Sequence, residues 1–253
     1  MKTTNAAAAA AIEAAARELR LPGIREHHTR LADQAKRSKT TYLEFLADTL
    51  TLEVDDRAER RRSRRITEAK FPRPKRLADF DLDAAPTVNP ATIATLAAGN
   101  YLDTGDPVVL LGDSGTGKTH LLIGLGMAAC EQGRRVRYIT CAQLTNELNE
   151  AADERRLARL IAKYSRIELL IIDELGYVQL DTRGAELFFQ VLTDRYEKSS
   201  IAVGSNLPFS EWGQIINDPR LVAAVIDRLT FNAHIIETGT DSYRLKTSRT
   251  NTR

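Results

Sequence analysis

The chain has 253 residues, of which 43% are apolar and 28% charged, enough for one large domain or a core domain with a small appendage. No run of about 18 apolar residues occurs, so we expect no membrane span and no membrane partner. The alanine run Ala6–Ala11, followed by Glu13, favours a helix over a signal peptide because alanine is weakly apolar. Cys130 and Cys141 are too few for a disulfide framework or a zinc site, so we expect reduced thiols and a cytoplasmic location.

The net charge of +2 is distributed unevenly along the chain. Residues 1–76 hold 18 Lys and Arg against 11 Asp and Glu, a net charge of +7, which leaves −5 for the remainder. The most basic stretch is Arg57–Arg65. It can neutralise phosphates or can simply be a solvated helix face, and the pattern leaves both interpretations open.

Periodicity divides the chain into four segments. Residues 1–70 are predicted to form a small helical N-terminal domain, in which Thr41 and Glu44 form a capping box before an apolar helix face. Residues 71–90 are predicted to be a linker, since two prolines follow Phe71 closely and neither residue before a proline favours a helix. We expect Phe80 and Leu82 in it to dock onto the next domain. Residues 91–246 form the core domain, and 247–253 a flexible polar tail.

The core segment alternates short apolar runs with helical patterns, which predicts an α/β fold with a mostly parallel five-stranded sheet. The predicted strands are Val108–Leu111, Val136–Ile139, Leu169–Ile172, Ile201–Val203 and Ile235–Ile236.

A glycine-rich loop between the first strand and a helix predicts a P-loop. Its backbone N–H groups can point at phosphate oxygens, with the helix N-terminus behind them. Lys118 is expected to contact the β- and γ-phosphates of ATP, and Thr119 to ligate Mg²⁺. The predicted nucleotide-binding residues are Gly112, Asp113, Ser114, Gly115, Thr116, Gly117, Lys118, Thr119 and His120.

Two carboxylates end the strand that begins at Leu169. Asp173 is placed to hold Mg²⁺, and Glu174 to polarise a water for attack on the γ-phosphate. The pair favours hydrolysis over phosphoryl transfer to a small molecule. Asn206, after the next strand, can orient that water or can be an ordinary turn residue before Pro208. Arg228 can be a surface arginine paired with Asp227, or an arginine finger that reaches a neighbouring subunit's nucleotide.

Several longer stretches resemble the IstB-type helper ATPases of bacterial insertion sequences, within the IstB/DnaC-like branch of the AAA+ ATPases. The similarity covers roughly residues 20–246. The matching stretches are Gly112–Leu121, Leu170–Tyr177, Ser205–Trp212, Asp218–Leu221, Ile226–Leu229 and Asp241–Leu245. The Asn-Leu-Pro-Phe-Ser-Glu-Trp block from Asn206 to Trp212 is the most specific of them.

The resemblance implies roles for residues that the pattern leaves ambiguous. Asn206 is similar to the sensor residue, Arg228 to the finger that acts between subunits, and Arg244 to a late arginine that senses nucleotide. The segment from Gln143 to Tyr164 occupies the place of an extra DNA-contacting helix in related initiators. Its basic residues are either DNA contacts or a solvated face: Arg155, Arg156, Arg159 and Lys163.

The resemblance also implies partners. Members of the family assemble on duplex DNA with ATP, deform it, and recruit and stimulate a cognate transposase, for which the helical N-terminal domain is the expected contact. A homo-oligomeric ring or spiral is expected. A DnaC-like loader of a replicative helicase shares the P-loop, the two carboxylates and the finger, and remains the main alternative. A small-molecule kinase is the third, although no acceptor site is recognisable.

Overall fold

The computed structural model describes residues 5–240 and 242–243 and divides into two compact units, Met1–Arg64 and Arg65–Arg253. The first unit is helical, as predicted. It contains α1 (Asn5–Glu18), α2 (Pro22–Ser38) and most of α3 (Tyr42–Ala69). Within the described ranges, no helix has both the length and the apolar character needed to cross a membrane.

Local sequence sets the ends of these helices. Pro22 occupies the first turn of α2, where its missing N–H costs nothing, and Lys39 ends the helix in a left-handed conformation. The predicted capping box is confirmed: Thr41 N–H donates to Glu44 Oε2 at 2.8 Å, and Glu44 N–H donates to Thr41 Oγ1 at 3.3 Å. The hydrogen bond from the Thr41 backbone, followed by that from its side chain, lowers the pKa of Glu44.

A buried carboxylate connects α2 with α3. Glu53 accepts a hydrogen bond from Ile24 N–H at 3.0 Å and lies 3.5 Å from Arg57 and 3.6 Å from Arg60. Four apolar residues in the first half of α3 are each at least half exposed. We call this row the α3 apolar stripe: Leu43, Leu46, Leu50 and Val54.

The second unit is built on a five-stranded, entirely parallel sheet with the order β2-β3-β4-β1-β5. All five predicted strands are confirmed. They are β1 (Val108–Leu111), β2 (Val136–Thr140), β3 (Leu169–Leu175), β4 (Ser200–Ser205) and β5 (His234–Glu237). β1, β3 and β4 are almost continuously buried, which explains their unbroken apolar runs.

Helices and two short 3₁₀ turns connect the strands. The helices are α4 (Pro90–Ala98), α5 (Tyr101–Thr104), α6 (Lys118–Glu131), α7 (Cys141–Asp153), α8 (Leu157–Ser165), α9 (Thr182–Arg195) and α10 (Pro219–Thr230). The 3₁₀ turns are Leu77–Asp79 and Phe209–Gln214. Side-chain caps from Thr140, Asp181 and Asp218 start α7, α9 and α10.

Alternate strand residues feed two apolar clusters. One cluster joins the sheet to α7, α9 and α10, and the other joins it to α4 and α6. Phe71, Leu77 and Phe80 pack against the second cluster, whereas Leu82 is exposed. Phe80 therefore docks as expected and Leu82 does not. The domain limits 1–70, 71–90, 91–246 and 247–253 stay a prediction, and the tail lies outside the described residues.

Parallel strands give the sheet two chemically different ends, which we call the carboxyl edge and the amino edge. β4 lies between β3 and β1, so the segments that follow these three strands meet at the carboxyl edge. Cys130, in α6, and Cys141, the first residue of α7, are buried free thiols, and burial raises the pKa of each to about 12. They are therefore protonated at neutral pH.

Candidate active site

The loop between β1 and α6 has the backbone geometry of a phosphate cradle. Gly115 and Gly117 have φ of 87° and 100°, a left-handed conformation that side chains disfavour. A Cβ on Gly117 would lie 2.6 Å from the Phe80 ring, so glycine is also required sterically. The loop is fixed from the neighbouring strands, because Gly112 N–H donates to Ser205 O and Asp113 N–H donates to Gly239 O.

Lys118 lies at the start of α6 and is almost completely buried. Its Nζ donates to the carbonyl oxygens of Gly112 at 2.6 Å and Asp113 at 2.8 Å. Thr116 Oγ1 donates to Asp113 O at 2.9 Å and lies 2.6 Å from Thr238 Oγ1. These two carbonyl oxygens hold the ammonium group inside the loop.

Asp173, only 2% exposed, is surrounded by donors. Its Oδ2 accepts hydrogen bonds from Thr119 Oγ1 at 2.7 Å and from Tyr138 OH at 2.8 Å, and its Oδ1 accepts one from Glu174 N–H at 2.9 Å. Burial, and then the charge of Asp173, raises the pKa of Tyr138 strongly, so the phenol remains a donor at neutral pH. These bonds fix the orientation of the carboxylate.

Thr119 and Asp173 are the predicted metal ligands, and the structure brings them together. A hydroxyl and a carboxylate are hard oxygen donors that suit Mg²⁺, which usually takes few protein ligands and keeps phosphate and water oxygens. Among the described residues, no cluster of three or more His, Cys, Asp or Glu could hold a metal by itself. The donor set therefore fits an ion that arrives with the nucleotide.

Glu174 differs from its neighbour in both conformation and exposure. It has a φ of 62° and an exposed side chain, at a break in register between Ile172 and Leu175. A left-handed conformation at a non-glycine residue costs on the order of 1 kcal/mol and often marks a functional position. The bulge turns the Glu174 side chain away from the core while Asp173 stays buried.

Asn206 follows β4 and lies at the same edge, between the two motifs as predicted. Its Oδ1 is buried and has no hydrogen-bond partner among the described residues. It lies against Gly176, where any side chain would collide with it. A buried acceptor without a partner is costly, and a water molecule or ligand donor at this position would satisfy it.

A cavity of about 510 Å³ opens beside the P-loop. One wall is the loop with Lys118 and His120, and the other belongs to residues 74–85, which the sequence assigned to a linker. His120 Nε2 lies 2.8 Å from Arg76 O, and its ring meets Phe80 edge-on at 5.4 Å. His120 thus lines the site, as predicted, and Phe80 joins it.

Arg228 lies at the opposite edge. It lines a cavity of about 360 Å³ with Asp106 and Pro107, immediately before β1, and Ser199, immediately before β4. Those residues define the amino edge, whereas the P-loop lies at the carboxyl edge. Arg228 therefore does not meet the P-loop of its own chain. Arg244 lies outside the described residues.

The predicted DNA-contacting segment contains two helices, α7 and α8, because the chain turns at Arg155, which has a φ of 56°. Arg156 pairs with Glu154. The exposed Arg159 and Lys163 have no side-chain partner within the described ranges. They line one groove with Arg156 and Arg166, although Glu147 and Glu150 also contribute to it.

Comparison with known proteins identifies the family. The model for the IstB-like ATP-binding proteins matches residues 14–251. The chain belongs to this family. It is 36% identical to the ATP-binding protein of insertion sequence IS21 from Pseudomonas aeruginosa. The match covers 91% of this chain and 87% of that protein. An insertion-sequence ATP-binding protein from Sinorhizobium fredii is 37% identical over 91% of this chain and 78% of its own.

Solved structures agree on the fold. AMPPCP-bound DnaA from Aquifex aeolicus has a TM-score of 0.59 at 21% identity, covering 72% of this chain and 55% of its own. DnaI has a TM-score of 0.54 at 20% identity, covering 64% of this chain and 90% of its own. The chain thus spans about half the length of the DnaA chains it matches. It is an AAA+ P-loop ATPase of the IstB-like family, and ATP is its nucleotide.

Three contributors to this site escaped the sequence-based prediction: Tyr138, Phe80 and Gly204. Tyr138 reads as an ordinary strand residue, and only the register of β2 against β3 brings its hydroxyl to Asp173. The sequence predicted that Phe80 docks onto the core domain, but it did not indicate that Phe80 lies beside the P-loop. At Gly204, Asp173 from β3 and Leu122 from α6 leave no space for a side chain.

Gly204→Ala tests that packing. A Cβ at position 204 would lie 2.6 Å from Asp173 Oδ1 and 2.8 Å from Leu122 Cδ1, so the carboxylate has to move. We expect a loss of about 1–3 kcal/mol in the free energy of unfolding. We also expect weaker Mg²⁺-dependent ATP binding. Urea unfolding and nucleotide titration with and without Mg²⁺ measure these effects.

Gly213→Ala is the matched control, because a Cβ there meets no heavy atom within 4 Å. It should leave both quantities near the wild-type values. Equal stability of the two variants would contradict the proposed close packing at Asp173.

Proposed function

We propose that this ATPase assembles on duplex DNA, remodels it in an ATP-dependent manner, and recruits and stimulates a cognate transposase. One observation carries the proposal: the P-loop lies at the carboxyl edge of the sheet, whereas Arg228 lies at the amino edge. The chain that shows this division belongs to the IstB-like family. A hydrolytic site that includes Arg228 can be completed only by a second copy. Family membership then directs the assembly towards transposition.

Each group at the carboxyl edge has a distinct task in the proposed mechanism. Lys118 and the loop N–H groups bind the β- and γ-phosphates, and Thr119 and Asp173 hold Mg²⁺. The metal supplies positive charge against the phosphate oxygens. Glu174 accepts a proton from the attacking water, and Asn206 orients that water through its unpartnered Oδ1. The His120 side of the cavity, together with Phe80, is assigned to the base and sugar. Arg244 is kept as a nucleotide sensor on the resemblance alone.

Arg228 is assigned the finger role in a neighbouring subunit's site. Charge from a guanidinium stabilises the transition state of phosphoryl transfer and has large effects on turnover in P-loop enzymes. The subunits of a ring or spiral meet edge to edge, which would bring the amino edge of one copy to the carboxyl edge of the next. Hydrolysis would then depend on assembly.

DNA binding is assigned mainly to phosphate contacts from α8 and the turn before it. Leu157, Leu160 and Ile161 pack into the core, so Arg159 and Lys163 face solvent. Exposed basic side chains without carboxylate partners suit sequence-independent binding. Arg155 and Arg156 extend the same surface. Bending DNA costs of order 1–6 kcal/mol, which contacts from several subunits could offset.

The α3 apolar stripe supports assigning the first unit to the transposase. It forms a row of exposed apolar side chains along one helix, an arrangement that soluble chains seldom leave uncovered. The apolar face of α3 could pack into a hydrophobic groove on the transposase, as amphipathic helices do in other complexes.

The likeness to the DnaC helicase loader, with a TM-score of 0.50 at 20% identity, keeps a helicase-loading role as the second candidate. The two functions differ in the protein partner. Tagged chain is incubated with ATP, duplex DNA, and either the transposase encoded beside it or the host replicative helicase. Capture of the transposase alone supports the proposal, and capture of the helicase alone contradicts it.

Glu174→Gln should bind ATP normally but hydrolyse it at least about 100-fold more slowly, because the amide cannot accept the proton. Assemblies on DNA should consequently persist. Nucleotide titration, phosphate release and DNA dissociation rates measure these effects. Glu237→Gln is the control, since Glu237 is an exposed carboxylate at the end of β5. Wild-type turnover of Glu174→Gln would exclude Glu174 as the base.

Replacing both Arg159 and Lys163 with Ala should weaken duplex binding at all sequences and reduce the slope of log K against log salt by about 1–2, since up to two phosphate contacts per site are lost. Fluorescence anisotropy over a salt series measures this. Lys36→Ala with Arg37→Ala removes the same charge from α2 and serves as the control. Equal losses in the two double variants would remove α8 as a specific contact.

Arg228→Ala should reduce DNA-stimulated hydrolysis by about 10³-fold or more while nucleotide affinity stays unchanged. Lys118→Ala should not bind ATP but keeps its finger. Mixed assemblies of the two inactive variants should recover turnover at interfaces where an intact finger meets an intact P-loop. Absence of recovery in mixtures that demonstrably co-assemble would contradict a finger acting between subunits.

A further inference from the structure

The guanidinium of Arg228 rests on aromatic rings. Its Cζ lies 4.6 Å from the centroid of the Tyr196 ring and 6.0 Å from that of Phe189. Phe231, just beyond α10, meets the Tyr196 ring at a centroid distance of 5.7 Å. We call Phe189 and Tyr196 the aromatic shelf. Of the two rings, Tyr196 is the closer to the charge.

The backbone that carries Tyr196 is held firmly. The preceding residue, Arg195, is 1% exposed and donates from Nη1 to Tyr164 O at 2.6 Å and from Nη2 to Ser200 O at 2.8 Å. Burial lowers the pKa of Arg195 to about 10, so it remains charged at neutral pH. These bonds fasten the end of α9 to the last turn of α8 and the first residue of β4. The chain is therefore held in place next to Tyr196, whose ring contacts Arg228 and Phe231.

The contact with the shelf leaves hydrogen-bonding capacity on Arg228. A cation over an aromatic face is attracted by the π electrons, while its N–H groups lie in the guanidinium plane and stay available. Nη1 donates to Asp227 Oδ2 at 2.8 Å, and the buried Nε has no partner among the described residues. The side chain as a whole is 31% exposed, so an incoming oxyanion can approach the terminal N–H groups of the guanidinium.

We propose that Tyr196 is a positioning residue for Arg228: its ring orients the guanidinium in advance, with donors directed to a γ-phosphate oxygen on the neighbouring copy. The inference rests on the finger role proposed above and extends it to a second residue. A free arginine side chain would have to lose its rotamer freedom on each encounter. Stacking removes part of that cost before the subunits meet.

Two substitutions at one position test the ring itself. Tyr196→Leu removes the aromatic face but keeps apolar bulk, and Tyr196→Phe keeps the face and loses only the hydroxyl. We expect Tyr196→Leu to reduce kcat for DNA-stimulated hydrolysis about tenfold, with KM and ATP affinity unchanged because the P-loop lies at the other edge. Tyr196→Phe should restore kcat to within about twofold of wild type. Melting temperatures of both variants are recorded alongside.

A mixing experiment separates positioning from a general structural effect. Lys118→Ala subunits carry an intact shelf and finger, whereas Tyr196→Leu subunits carry an intact P-loop. Mixed assemblies should turn over faster per intact P-loop than Tyr196→Leu alone. Folding damage within the Tyr196→Leu subunit would not be repaired by a neighbour, so an absence of rescue would overturn the proposal.

Three further results would also overturn it. Equal losses in Tyr196→Leu and Tyr196→Phe would assign the effect to the hydroxyl. A rise in kcat for Tyr196→Leu would mean that the shelf restrains the finger, and a wild-type kcat would mean that the ring is not used. Arg228→Ala, measured in parallel, isolates the premise: if that variant hydrolyses ATP normally, the finger assignment itself fails. If only Tyr196→Leu is normal, the finger stands and the shelf role fails.

Discussion

The buried carboxylate of Asp173 is the constraint on which the candidate active site depends. A carboxyl group that is 2% exposed is tolerated only with hydrogen-bond partners around it. Here the donors come from α6, β2 and the adjacent backbone, through Thr119, Tyr138 and Glu174 N–H. The sheet order places these elements side by side, and Gly204 leaves the necessary space. The surrounding elements thus hold the Asp173 side chain in one orientation.

That arrangement also gives Asp173 and Glu174 different environments. The register break beyond Ile172 keeps the first carboxylate inside and turns the second outward. In a regular strand, successive side chains also point to opposite faces of the sheet. Both side chains would then lie against the helices that cover those faces. The left-handed conformation of Glu174 moves it out of that packing, so the proposed metal ligand and the proposed proton acceptor can be adjacent in sequence without sharing an environment.

The features of the fold and site that could be predicted are those set by residues close together in the sequence. The P-loop, the strand runs and the Thr41–Glu44 cap are local patterns, and the structure confirms them. The hydroxyl of Tyr138 reaches Asp173 only through strand register, which a single strand does not encode. Proline rules exclude a helix after Phe71 but give no docking position, so the part that Phe80 plays beside the P-loop was missed. The apolar face predicted on α3 does form, but periodicity cannot show what covers it.

The same limit applies to Arg228, whose local pattern allowed a surface ion pair as readily as a finger. The structure shows the Asp227 contact, and it also shows a stack on Tyr196 that the local pattern did not indicate; the finger role stays a proposal. The ion pair is between adjacent, partly exposed residues and contributes little, because water screens it. The stack instead draws on a ring whose backbone is fixed by the buried Arg195. Burying the Arg195 guanidinium at the end of α9 costs free energy, because among the described residues its hydrogen bonds go to carbonyl oxygens and not to a carboxylate. Its cost is understandable if the position of the next side chain matters, and that side chain, Tyr196, lies against Arg228.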